Sequence, residues 1–167
     1  MYIPFEQLPP EARLWIYQAD RRFSETEEKV ISAALREFCS EWSAHGNPLE
    51  TSFLIKYNQF IILSVNENAA DASGCSIDGS VRVLKELSQR FNNDFFNRTN
   101  VAFREGDQIN LYPIQKLSAL FKSTKLSAES ITFNNLVPDK RSFLKNWEMA
   151  TEKTWLAKYL PKGTLSV

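Results

Sequence analysis

The stretch "TSFLIKYNQFIILSV", Thr51 to Val65, constrains the fold more than any other. It reads as two strands joined near Asn58 and Gln59, the first alternating and the second, "FIILSV", almost wholly apolar. A strand with apolar side chains on both sides of its pleat has to be covered on both faces, so this one belongs at the centre of a sheet. Its core "FIIL" is far too short to cross a bilayer.

The flanking segments supply neighbours for that strand. "ARLWIYQAD", Ala12 to Asp20, follows a Pro-Pro break, mixes aromatic and β-branched residues, and reads as a strand. "SETEEKVISAALREFCSEWSAHG" reads as a long helix in which Ser24 and Glu27 form a capping box and Gly46 takes the left-handed C′ position. Val30, Ile31, Ala34, Leu35, Phe38 and Trp42 recur along it at helical spacing, and this stripe must cover a sheet. After the polar loop "NENAADASG" a second helix is expected from Ser76 to about Phe91, with Ile77, Val81, Leu84 and Leu87 inward. "VAFREGDQINLYP" reads as a hairpin turning at Glu105 to Gln108, where Gly106 and Asp107 supply the turn chemistry.

Strand, helix, two strands, helix, strand is the order of a ferredoxin-like split βαβ sandwich: an α+β fold with an antiparallel sheet and helices on one face. The expectation is a core over residues 1–113 with an extension over 114–167 packed on it, all within one domain. In the extension "PIQKLSALF" reads as a short helix, "SITFNNLV" as a strand, "DKRSFLKNWEM" as a helix capped by Asp139, and "TEKTWLAKYL" as a helical turn or two.

Charge and cysteine usage narrow the class of partner. Twenty basic residues balance twenty acidic ones with no long run of either sign, so the sequence supplies no field for nucleic acid or anionic lipid. The start lacks a basic region followed by an apolar stretch, and the expectation is a cytoplasmic protein with no membrane contact. In that setting Cys39 and Cys75 are expected as free thiols. With 43% hydrophobic residues over 167 positions the chain can bury a core without disulfide or metal.

The chemistry-bearing stretch is "GCSIDGSV", Gly74 to Val81. Its glycines have P-loop spacing, but Ser80 and Val81 stand where the loop needs a lysine and a magnesium-binding hydroxyl, so it is no ATPase loop. Cys75 has two readings: a thiolate stabilised by a helix N-terminus, with Asp78 opposing it from the same turn, or a cap shared with Ser76. Gly79 implies a close approach, most simply to a strand; a small anion held by Gly74, Ser76, Gly79 and Ser80 is the functional alternative. His45, the chain's one histidine, is either a partner for Cys75 or a favourable charge at a helix C-terminus. Zinc spacing is absent and no cofactor is implied. Trp15, Tyr17, Trp42, Phe53, Phe60 and Phe103 fall on core faces. Trp147, Trp155 and Tyr159 lie on short C-terminal segments, either as a partner contact or as a cover for an exposed sheet end.

The segments "IPFEQLPP", "RLWIYQAD", "YNQFIIL", "GCSID", "VAFREGDQINL", "FNNLV" and "WLAKYL" together resemble a small bacterial family of unknown function whose members are often labelled ABC transporter ATPase. The resemblance runs over nearly the whole chain and implies a shared fold with no functional residues to carry over. Locally, "FREGDQINLYPIQKLSALFKSTKLSAESITF" is similar in layout to GYF-type modules, which bind proline-rich peptides; the GYF tripeptide itself is missing. The reading that gathers these points is a non-catalytic module that binds another protein or a copy of itself. Its alternative is a small enzyme or anion binder built on the Gly74–Ser80 stretch, with Cys75 as reactive thiol.

Overall fold

The structure, a computed structural model describing residues 1–163, is α+β, and the ladders between its strands are antiparallel. Its elements run β1 (Arg13–Gln18), α1 (Glu25–Glu41), β2 (Ser43–Ala44), β3 (Asn47–Pro48), β4 (Glu50–Lys56), β5 (Phe60–Asn66), α2 (Gly74–Arg90), β6 (Asn100–Glu105) and β7 (Gln108–Pro113). Then follow α3 (Leu117–Lys122), β8 (Ile131–Phe133), α4 (Lys140–Asn146) and β9 (Glu148–Ala150). Short 3-10 helices occupy Phe5–Gln7, Ile114–Lys116, Thr151–Lys153 and Trp155–Tyr159. Two compact units result: unit 1 is Met1–Asn97 with Leu136–Leu144, and unit 2 is Arg98–Asn135 with the chain from Lys145 onward.

In unit 1 the apolar strand is central, as its composition demands. β5 pairs with β1 on one side and β4 on the other, giving the order β1-β5-β4. Ile61, Leu63 and Val65 point to the cluster formed with Ile31, Leu35 and Cys39 of α1 and Leu84 and Leu87 of α2. Phe60 and Ile62, on the alternate face, are buried as completely. Each such side chain contributes about 1.5–3 kcal/mol by leaving water.

Both edges of this sheet are covered, which keeps them from pairing with foreign strands. Beyond β4, Tyr2 bridges Thr51, the Thr51 amide donates to the Met1 carbonyl and the Ile3 amide to that of Thr51, each at 2.9 Å. Beyond β1 lies a segment from far along the chain: the Leu14 amide donates to Pro138 at 3.1 Å and the Lys140 amide to Ala12 at 2.9 Å. Lys140 then buries its ammonium, which donates to the carbonyls of Glu6 (3.0 Å) and Leu8 (2.6 Å). In a ferredoxin-like sheet the strand after α2 would take the place beside β1. Here that strand is β6, and it belongs to another sheet.

Unit 2 is built on that second sheet, of order β7-β6-β8-β9. The hairpin β6–β7 turns where the sequence places it, with Gly106 at φ 65°, and pairs onward with β8. This pairing puts the boundary between the units at Asn97 and Arg98, so β6 and β7 go with the C-terminal residues and not with a core over residues 1–113. Phe103 packs with Leu117 and Phe121 of α3, Leu126 and Leu156.

Helix α1 starts as expected: Ser24 Oγ accepts from the Glu27 amide and Glu27 accepts from the Ser24 amide. Its end differs. The helix stops at Glu41, and β2 and β3 form a small hairpin whose turn is His45 and Gly46, with φ 52° and 80°. Positive φ at both central residues is the demand of a type I′ turn, so Gly46 serves a hairpin and does not cap the helix. Trp42 leaves the helical stripe but stays buried, against Phe38 and Trp15. Among the described residues no helix is long and apolar enough to cross a membrane.

Candidate functional site

The start of α2 is set by Ser73, in an extended conformation that lets its Oγ accept from the Ser76 amide at 3.2 Å. Ser76 Oγ donates back to the Ser73 carbonyl at 2.8 Å. The helix therefore begins at Gly74, two residues before the expected Ser76, and neither Cys75 nor Ser76 is its cap. This shift also moves Asp78 out of the first turn, which holds no acidic residue.

His45 and Cys75, far apart in sequence, line one open depression of about 620 Å³, together with Ser43, Ser73, Gly74 and Ser76. The β2–β3 hairpin carries the imidazole there and the start of α2 carries the thiol. The other expected members are elsewhere. Asp78 is exposed and does not line the depression, so it joins neither residue. Ser80 is buried and donates to the Ile77 carbonyl at 2.6 Å, which spends its hydroxyl inside the helix. Gly79 faces α1, not a strand: a Cβ there would lie 3.6 Å from Phe38, an ordinary contact, so the glycine marks no tight approach. Nothing lies within 4 Å of a Cβ on Gly74.

The two thiols differ in environment. Cys39 is buried, and burial pushes its thiol up to about 11, which keeps it protonated and unreactive. Cys75 is exposed, in the first turn of α2. A thiol and an imidazole, the residue types of nucleophilic chemistry, line one depression, and of the three serines beside them Ser73 and Ser76 have their hydroxyls engaged at the helix start. Among the described residues no group of three or more His, Cys, Asp and Glu could hold a metal ion.

The C-terminal aromatics divide. Trp147 is buried, stacks on Phe133 with centroids 4.8 Å apart, and donates its indole N–H to Asn135 Oδ1 at 3.0 Å. At 2% exposure it offers no surface to a partner. Trp155 is 59% exposed. It leads the 3-10 helix capped by Thr154, meets Tyr159 edge-on at 6.1 Å, and has the Lys158 ammonium 5.2 Å from both rings. Leu156 in the same turn is buried against α3 residues, which fixes the turn and leaves Trp155 outward. Lys158 went unread in the sequence, although the spacing of "WLAKY" puts it on the same short turn as both rings.

The strand arginines are both in ion pairs: Arg13 with Glu67 at 3.4 Å and Arg104 with Glu148 at 2.8 Å, neither in the depression. Comparisons of the chain with protein-family models, with curated proteins and with solved structures found no match.

Proposed function

We propose that the chain is a binding module that engages another protein, or a second copy of itself, through Trp155. The observation that carries this reading is the exposure of a tryptophan on a turn anchored by its neighbour Leu156. A large aromatic held rigid at the surface loses little freedom on binding and contributes much apolar area, the usual character of an interface anchor. Wild type and Trp155→Ala are compared by light scattering for native mass and by purification from host cytoplasm. A dimer or a stoichiometric partner present with wild type and lost with the variant supports the reading. A strictly monomeric protein that retains no partner in either form contradicts it.

The His45–Cys75 depression favours a second reading, a small-ligand or thiol-chemistry site, since it is lined by both residues although they lie 30 positions apart. A thiol titration at neutral pH tests this: Cys75 should react much faster than a free model thiol, and slow on His45→Ala. Equal rates would leave Cys75 a bystander. We further propose that unit 1 is a ferredoxin-like sandwich in which residues 138–140 stand in for the fourth strand. Its support is the β1-β5-β4 order with α1 and α2 packed on one face.

A further inference from the structure

The balanced total charge hides a segregation between the two units. Unit 2 carries nine lysines and arginines against five aspartates and glutamates, and unit 1 carries eleven against fifteen. The excess in unit 2 is concentrated further. From Gln108 to Ala128 there is no acidic residue and three lysines, Lys116, Lys122 and Lys125; from Lys153 onward there is again none, with Lys153, Lys158 and Lys162. These two acid-free stretches pack on each other, since Leu117, Leu120 and Phe121 share a cluster with Leu156, Tyr159 and Leu160. All six lysines are exposed, and among the described residues none has a carboxylate within 4.0 Å. The unit's own acids are partly spent: Glu105 accepts from Tyr112 and Asn110, and Glu148 pairs with Arg104.

We propose that this corner of unit 2, where α3 meets the Trp155–Tyr159 turn, is a docking site for an acidic peptide segment bearing an apolar or aromatic anchor. The inference rests on the binding role of Trp155 and adds the chemistry of the occupant. Trp155 supplies the anchor contact. Lys158, stacked on both rings, supplies a cation beside it, with the other five lysines setting the sign of the surrounding field. Single-stranded nucleic acid would use the same sign of charge, but it calls for a run of stacking platforms, and here one fully presented indole stands beside a half-buried Tyr159.

A randomised 12-residue display library panned on the full chain tests this, with selected peptides then measured by fluorescence anisotropy. The expected result is enrichment of Asp and Glu around one Trp, Phe or Leu. Affinity should drop about tenfold or more when those acids become Asn and Gln, when Trp155 becomes Ala and when Lys158 becomes Glu, and should fall with salt. Lys85→Glu, on an exposed position of α2, should leave it unchanged. Selected peptides that are neutral or basic yet depend on Trp155 would overturn the acidic occupant and leave the binding role standing. Peptides indifferent to Trp155→Ala would overturn both. A uridine oligonucleotide bound more tightly than any selected peptide would overturn the proposal in favour of nucleic acid.

Discussion

Unit 1 and unit 2 treat their tryptophans differently. Unit 1 covers both edges of its sheet, buries Trp42 and packs Trp15 against it, while Met1, Leu136 and Leu144 stay exposed. At α1, Arg21 pairs with Glu27 of the capping box at 2.8 Å. Unit 2 buries Trp147 but holds Trp155 out beside Lys158, which has no carboxylate within 4.0 Å among the described residues. The difference among the tryptophans teaches where to look for contact: an indole that could have been buried and was instead anchored in the open.

The contrast can be broken or sharpened by substitution. The largest effect is expected inside unit 2. Trp147→Ala removes a buried indole stacked on Phe133 and should cost about 3–5 kcal/mol in denaturant unfolding; a loss under about 1 kcal/mol would mean that Trp147 is displayed like Trp155.

Next comes the closure of unit 1 at α1. The Arg21 hydrogen bonds, followed by the Ser24 amide, hold the Glu27 carboxyl down at about 2 against an ordinary 4.5. A carboxyl depressed in the folded state stabilises fully above its unfolded value and loses that contribution as pH falls through the window from about 4.5 to 2. Glu27→Ala should therefore cost about 1 kcal/mol at pH 7. Below pH 3 the difference from wild type should shrink. A constant difference across that range would show that the cap does not depend on the charge.

A smaller change of opposite sign is expected at Gly79. Its φ is not positive, and a methyl would meet Phe38 at an ordinary 3.6 Å. Gly79→Ala should stabilise by about 0.5–1 kcal/mol, read from the denaturation midpoint at unchanged slope. Destabilisation would mean that the α1–α2 contact is tighter than the geometry gives. The smallest effect is predicted at Trp155→Ala, within about 0.5 kcal/mol of wild type, since an exposed side chain carries little of the fold.

What could be read from the residues follows how local the cause is. The central strand, the Ser24–Glu27 box, the Gly106 turn and the Asp139 cap, whose Oδ1 accepts from the Ser142 amide at 2.8 Å, each rest on neighbours within a few positions. Gly46 reads as a helix C′ residue and serves a hairpin turn instead, because a helix C′ position and a type I′ turn both ask for a left-handed glycine. Residues 138–140 carry no strand pattern, and their place beside β1 is decided by chain folding across more than a hundred residues. The candidate site was half visible. Cys75 and His45 are legible in the sequence as a candidate pair, but the hairpin that brings them to one depression is not. Trp147 and Trp155 look alike in sequence, and contacts with Phe133 and Asn135, distant by a dozen residues or more, go with the burial of the first.

The central claim is that Trp155 is the point of contact, and the indole N–H signals of the four tryptophans report on it directly by NMR. On titration with an acidic peptide selected as above, the account predicts that the Trp155 indole shifts and saturates while that of Trp147 stays in place. A saturating titration that moves other indoles and leaves Trp155 unmoved would contradict it.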